Sequence, residues 1–347
     1  MKIESIDAQA RKDALIEAVL LLRARTLSKA APYSCHLPQE SLDLVPSHSS
    51  RRGRRSACGN MVFVSAGFRY QAGSAVPDDV AHSGLPLEGF LSERPIVWLQ
   101  DQGTSIWAPF WVPKEWDRIL RSFRPCSPSP PNLPARMLRS LVTAGILVER
   151  DEDHRRSAAW VRIRRQALRT FREKKYAIIR NLVHPLQLRA MRRYYRALVA
   201  AGKVPKGDSQ VAERYRLHSE FVARFLHPQL SPLLSELTEE SIKPSYVYFA
   251  SYHESAALPR HLDREQCEFS ISIQIDYSPE PNGATGWPLF LENTLPRAVD
   301  AVNLGLGDGV IYKGRELAHY RHALPAGHTS TSLFLHYVRK QFIDKVW

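Results

Sequence analysis

Two histidines and an aspartate in the C-terminal third of the chain, His261, Asp263 and His319, are of the types that can bind one metal ion. Two imidazoles and one carboxylate hold Fe(II) on one face and leave positions open for a co-substrate and O2. His-x-Asp is a short spacing that arises often by chance, so its weight depends on the elements around it. Alternate residues of a strand face one side. His261 and Asp263 can therefore point inward together while Leu262 faces away. A second histidine, His322, competes with His319 as third ligand. Alternation puts His319 and Arg321 on one face and His322 on the other, so if His319 faces the metal, Arg321 points inward and His322 outward.

The elements that must position these residues begin near residue 175. Tyr176–Val183 reads as a strand. A helix over Leu186–Val199 follows and stops at Gly202. A second helix is expected over roughly Gln210–Leu226, then a Pro-punctuated helix ending near Glu240. Short strands with turn signals come next, at Tyr246–Tyr252, Phe269–Tyr277, Pro288–Glu292, Ala298–Asn303, Gly309–Tyr312, Leu317–Ala323 and Thr331–Val338. Many short strands at close spacing predict a β-sandwich or jelly roll.

The succession Tyr252, His261-Leu262-Asp263-Arg264-Glu265-Gln266-Cys267, Phe269–Asp276, Trp287-Pro288-Leu289, Gly307-Asp308-Gly309-Val310-Ile311-Tyr312-Lys313-Gly314 and His319-Tyr320-Arg321 resembles the Fe(II)/2-oxoglutarate-dependent dioxygenases, in their prolyl-hydroxylase-like branch. The likeness covers about residues 173–340. It implies a double-stranded β-helix, Fe(II) held by His261, Asp263 and His319, 2-oxoglutarate as co-substrate, and O2. It also implies hydroxylation rather than halogenation, because Asp263 fills the position that some relatives leave open for chloride.

The chain departs from that family at one point. Many relatives carry an Arg or Lys at the start of the last strand, facing the distal carboxylate of 2-oxoglutarate. Here the segment reads Gly327-His328-Thr329-Ser330-Thr331-Ser332-Leu333. A buried dianion needs a charge partner. Arg321, on the metal face by alternation, is the first candidate and Lys313 the second. Tyr252 resembles the tyrosine that hydrogen-bonds the same carboxylate.

The N-terminal half is of another kind. Residues 1–30 read as an amphipathic helix rather than a cleavable signal, and Pro32 to Gly59 as a connection. A short strand is expected at Met61–Val64. A hairpin follows over Pro95–Gln100 and Ser105–Val112, then helices from Pro113 to Phe123 and over Pro134–Val142, capped by Gly145. A second hairpin is expected from Ile146–Glu149 and Ala158–Ile163. Residues 95–165 in this order resemble winged-helix modules that read a leader peptide and, more loosely, winged-helix DNA readers. The expected fold class is thus α+β, with a C-terminal jelly roll flanked by helices and a smaller winged-helix-like α/β domain. The expected divisions are 1–60, a helix and connection; 61–170, a recognition or accessory domain; and 171–347, the oxygenase domain.

Bulk composition narrows the classes of partner. The 347 residues are 44% hydrophobic, which fits a packed protein, and no apolar run is long enough to span a membrane. A cytoplasmic location is expected. The four cysteines form no C-x-x-C pair, which argues against a structural zinc site. The formal charge of +13 permits an acidic peptide, nucleic acid, or simply an Arg-rich solvated surface. The substrate expected is a peptide or protein side chain, such as that of a ribosomal natural-product precursor. A free amino acid or other small molecule is the alternative. A nucleic-acid-binding regulator with a sensory barrel is the alternative of a different class.

Overall fold

The computed structural model describes residues 61–343, apart from 73–75, 88–94, 203 and 295–296. The helix expected over residues 1–30 lies outside the described residues. The chain divides into two compact units, which over the described residues are 61–165 and 166–343.

In the first unit, β1 (Val62–Val64) pairs antiparallel with β5 (Leu147–Glu149), and β2 (Phe68–Tyr70), β3 (Ile96–Gln100) and β4 (Trp107–Trp111) form a second sheet. The β3–β4 hairpin is the one expected. Its turn is set by Asp101, whose Oδ1 accepts from the amides of Gly103 and Thr104 at 2.7 and 2.9 Å. Trp98 and Phe110 bury their apolar bulk in this sheet. Helix α1 (Ala135–Thr143) ends at Gly145, whose φ of +72° is the left-handed cap the sequence predicted.

The second expected hairpin does not form. β5 pairs with β1, and Ala158–Ile163 lies within a 23-residue helix, α2 (Glu152–Lys174). That helix has no Gly or Pro and holds seven Arg and three Ala, which favour helix. Acidic residues at its start and basic ones at its end suit the helix dipole. Ala167 and Phe171, four apart, are its buried pair. The winged-helix layout therefore lacks its wing.

In the second unit, β6 (Tyr176–Ile179) is shorter than expected and turns at Asn181, φ +52°. Helix α3 (Pro185–Ala200) starts with Pro in its first turn, His184 as N-cap. The helix expected over Gln210–Leu226 is a correction. Its first part is strand β7 (Arg214–His218), followed by helix α4 (Phe221–Gln229). The alternation Arg-Tyr-Arg-Leu-His satisfies a strand, and the Glu220 side chain caps the helix by accepting from the Ala223 amide at 3.1 Å. Helix α5 (Ser231–Thr238) completes the helical layer.

The remaining strands are β8 (Ile242–Tyr252), β9 (Leu258–His261), β10 (Phe269–Ser278), β11 (Leu289–Thr294), β12 (Arg297–Val302), β13 (Gly309–Tyr312), β14 (Ala318–Arg321) and β15 (Thr329–Arg339). Two antiparallel sheets result, in the orders β6-β13-β10-β15-β8-β7 and β12-β11-β14-β9. From β8 onward the chain passes back and forth between them, as a jelly roll requires. Tyr176, Val310 and Tyr312 of the larger sheet share one core with Leu289, Leu291 and Val302 of the smaller.

Strand β10 shows how one sequence serves two faces. Ile271 and Ile273 lie on the outer face with Leu182, as their approach to Gly309 shows. On that face Phe249 stacks on Tyr195 of α3 at 4.6 Å. Arg192 and Arg196 of the same helix pair with Asp276 of β10. Ser270, Ser272 and Gln274 alternate with the isoleucines and face the space between the sheets.

Candidate metal centre

β9 and β14 pair so that His319 stands directly opposite His261, with ring centroids 4.3 Å apart. Asp263 lies just beyond the end of β9. Its Oδ1 is 3.5 Å from Nε2 of His319 and 3.8 Å from Nε2 of His261. The three ligand atoms all lie within 4.8 Å of one another, and Leu262 between the first two is exposed. The three side chains are brought together, although Asp263 lies beyond the strand that was expected to carry it with His261.

Ring orientation is fixed from behind. Nδ1 of His261 meets the carbonyl of Pro259 at 2.8 Å, and Nδ1 of His319 that of Leu317 at 2.9 Å. A carbonyl only accepts, so each Nδ1 carries a proton and each Nε2 is the atom left to face Asp263 or a metal. Burial lowers the pKa of His261, with His319 adding to the effect, so the neutral ligand form is favoured. Burial pushes Asp263 up, but His319, His336 and the Ser270 hydroxyl outweigh it and bring the carboxyl down to about 2.

Asp263 is itself held in place. Its amide donates to the carbonyl of Gly314 at 2.9 Å, and a Cβ on Gly314 would come within 2.1 Å of Oδ2. Only glycine admits this approach. Ser270 hydroxyl lies 2.9 Å from the same Oδ2 and 2.8 Å from Nδ1 of buried His336. The carboxylate is acceptor-only, so Ser270 donates to it and His336 Nδ1–H donates to Ser270. Asp263, Cys267 and His336 also lie within ligand distance of one another. Cys267 meets the Tyr246 hydroxyl at 3.1 Å, and burial pushes its thiol up to about 12.

Arg321 is buried, as alternation predicted. Its guanidinium sits 4.5 Å from the ring of Trp287 and donates to the Trp287 carbonyl, and among the described residues it has no carboxylate partner. Burial pulls its pKa down to about 10 against the neighbouring Tyr252, Tyr312 and Tyr277. Tyr252 packs edge-on to Trp287 at 5.0 Å, and its hydroxyl accepts from Arg214 at 3.3 Å.

Lys313, the second candidate cation, is not brought to this group. Its amine pairs with Glu316 at 3.2 Å, and Glu316 also takes Lys175 at 2.8 Å. An available carboxylate three residues on explains the diversion. His322 is exposed and packs on Phe290 at 4.7 Å, away from the centre. Ser270, His336 and Trp287 belong to the site without having been singled out for a role. The alternation Ser270-Ile271-Ser272-Ile273-Gln274 was the available signal.

No protein-family model matches this sequence, and no curated protein does. Solved structures similar over about half of the chain are Fe(II)/2-oxoglutarate-dependent oxygenases. A prolyl-4-hydroxylase of Pseudomonas putida shares 16% identity over 51% of this chain and 99% of its own, with a TM-score of 0.42. A Trichoplax adhaerens prolyl hydroxylase, in complex with a hypoxia-inducible-factor peptide fragment, shares 14% over 52% and 90%, with a TM-score of 0.44. The epimerase SnoN, in complex with Fe3+, alpha-ketoglutarate and nogalamycin RO, shares 12% over 51% and 83%, with a TM-score of 0.43. Among the described residues no helix is long and apolar enough to cross a membrane.

Proposed function

We propose that this chain is a non-haem Fe(II)- and 2-oxoglutarate-dependent oxygenase, with His261, Asp263 and His319 as metal ligands. The observation that carries the reading is their convergence, with both imidazoles held at Nδ1 and turning Nε2 toward Asp263 Oδ1. Two imidazoles and a carboxylate suit Fe(II) better than the thiolate sets that favour zinc. When bound, iron with 2-oxoglutarate and O2 supplies the oxidising power that breaks an unactivated C–H bond.

The chain's own residues orient and shield. Three ligands on one side leave the opposite positions for co-substrate and O2. Arg321 is the proposed anchor for the distal carboxylate of 2-oxoglutarate. A buried guanidinium lacking a carboxylate is stabilised when a ligand supplies one. Ser272 and Ser332, whose buried hydroxyls have no partner among the described residues, face the same interior and offer neutral donors. Tyr252, Trp287 and Tyr312 exclude water from the pair. Hydroxylation is the proposed outcome, since the carboxylate of Asp263 occupies the third ligand position. A peptide or protein side chain is the proposed substrate class, supported by the Arg-rich composition and by a separate compact unit preceding this one.

Anaerobic Fe(II) titration, with and without 2-oxoglutarate, tests the reading. A visible charge-transfer band requiring both is expected. Binding of iron with no such band would leave a metal protein of another kind.

A further inference from the structure

We propose that the inner face of β7 and β8 beside the metal centre binds a carboxylate of the substrate, with Arg216 and Arg264 as its anchors. The inference deepens the oxygenase reading and rests on it. Arg214, Arg216 and His218 of β7 stand opposite Tyr252, Ala250 and Tyr248 of β8, and so share their inner face.

The charges on this face do not balance. Arg214 is spent internally, with two bonds to Asp208 Oδ2 at 2.8 and 2.5 Å, one to Gln210 at 3.1 Å and one to Tyr252. Asp208 is spent as well, since Oδ1 accepts from the Gln210 and Val211 amides and Oδ2 also takes the Tyr248 hydroxyl at 3.2 Å. Arg216 therefore finds no carboxylate oxygen but an already saturated one, at 3.3 Å; its Nε donates to the Gly207 carbonyl at 3.4 Å, and Nη1 turns toward Nε2 of His218 at 3.5 Å. Arg264, one residue beyond Asp263, is exposed and forms no ion pair with any described residue.

Two guanidiniums of β7 thus face one carboxylate, and Arg264, without an ion pair among the described residues, is close enough for its charge to reach His218. His218 lies among them: burial and then the charges of Arg216 and Arg264 bring its pKa down to about 3. It stays neutral and adds no competing charge. The floor beneath is aromatic, with His218 against Tyr248 at 4.7 Å, Tyr248 against Phe334 at 6.0 Å, and Tyr246 against His336 at 4.6 Å. That floor ends at His336, which reaches Asp263 through Ser270. A ligand held here by its carboxylate lays its aliphatic part along aromatic rings toward the metal ligands. Planar guanidinium forks match a carboxylate in parallel bonds.

Two sources carry this chemistry, a free carboxylic acid and an acidic residue of a peptide. Saturation-transfer NMR on the full chain at low salt, with and without Mn(II), separates them. The probes are N-acetylglutamate, N-acetylglutamine amide, and capped hexapeptides with one Glu or with Gln in its place. Carboxylate probes are expected to bind about tenfold or more tightly than their amides, a difference of about 1.4 kcal/mol. The tighter of the free acid and the Glu peptide identifies the source. Arg216→Gln and Arg264→Gln should each remove most of that preference, and Arg216→Lys should restore part of it.

Equal binding of acid and amide would overturn the proposal. So would a preference that survives both Gln variants in protein with native near-UV circular dichroism, or equal competition by inorganic phosphate. Mn(II) binding, read by EPR in the same samples, reports on the metal centre alone. Loss of carboxylate preference with Mn(II) bound defeats the anion site only, whereas absence of Mn(II) binding defeats the oxygenase reading.

Discussion

His261 and His319 face each other across two strands, and each turns Nδ1 onto the carbonyl two residues before it. The backbone thereby sets both tautomers before any metal arrives. His261→Ala or His319→Ala should weaken Fe(II) binding by about 100-fold or more, beyond what loss of an outer-shell partner costs. His322→Ala should leave it unchanged. Calorimetric titration checks this, and equal affinities for His319→Ala and His322→Ala would exchange their roles.

The support behind Asp263 makes a separate prediction. Ser270→Ala should cost about 10–100-fold in metal affinity, the range for outer-shell partners of metal ligands. Gly314→Ala should cost more, because its Cβ would fall 2.1 Å from Asp263 Oδ2 and displace it. Native far-UV dichroism with metal binding lost is the expected result. Full binding in Gly314→Ala would show that Asp263 is not held as described.

Arg321→Met should lower 2-oxoglutarate affinity by about 30-fold or more, as breaking a buried charge pair costs at least about 2 kcal/mol. Metal binding without co-substrate should persist. Thermal stability without 2-oxoglutarate should hold or rise, because the variant buries no unpaired charge. An unchanged co-substrate Kd would remove Arg321 from the anchor role.

Acid should destabilise the fold through buried neutral histidines. Burial brings His218 and His227 down to about 3. The unfolded chain takes up their protons at about pH 6.5 and the folded one does not. Stability is therefore full above about pH 6.5 and is lost as pH falls toward 3, at up to about 1.4 kcal/mol per pH unit for each group. Urea titrations at pH 7.5, 6 and 5 read the slope. His227→Asn should flatten it, and an identical slope in that variant would reject the assignment.

Of the strands that carry the site, β10, β13, β14 and β15 were legible because Gly, Pro and period-two alternation bound them, whereas β9, which carries His261, was not among those expected. Gly309–Tyr312 falls at its predicted limits, and alternation separated His319 and Arg321 from His322. Two segments misled for opposite reasons. Arg214–His218 is charged and sits beside a true helix, so its strand pairing with β8 was hidden. Ala158–Ile163 holds Trp160, Val161 and Ile163, types that favour strands, yet its neighbours' helix propensity prevails. Lys313 could not be told from Arg321 by charge alone, since Glu316 claims it only in three dimensions. The role of His336 depends on a serine 66 residues away, a pairing that no local pattern encodes.

Strand β9 has four residues and lies at the margin of the smaller sheet, joined to β14 by a ladder that shifts register between His319 and Arg321. Two of the three proposed ligands sit at or just past its end. An ion bound there would act as a rivet across that seam, fastening a border that backbone amides secure only in part. Metal occupancy should then be written in the exchange rates of a few border amides, long before global unfolding registers it.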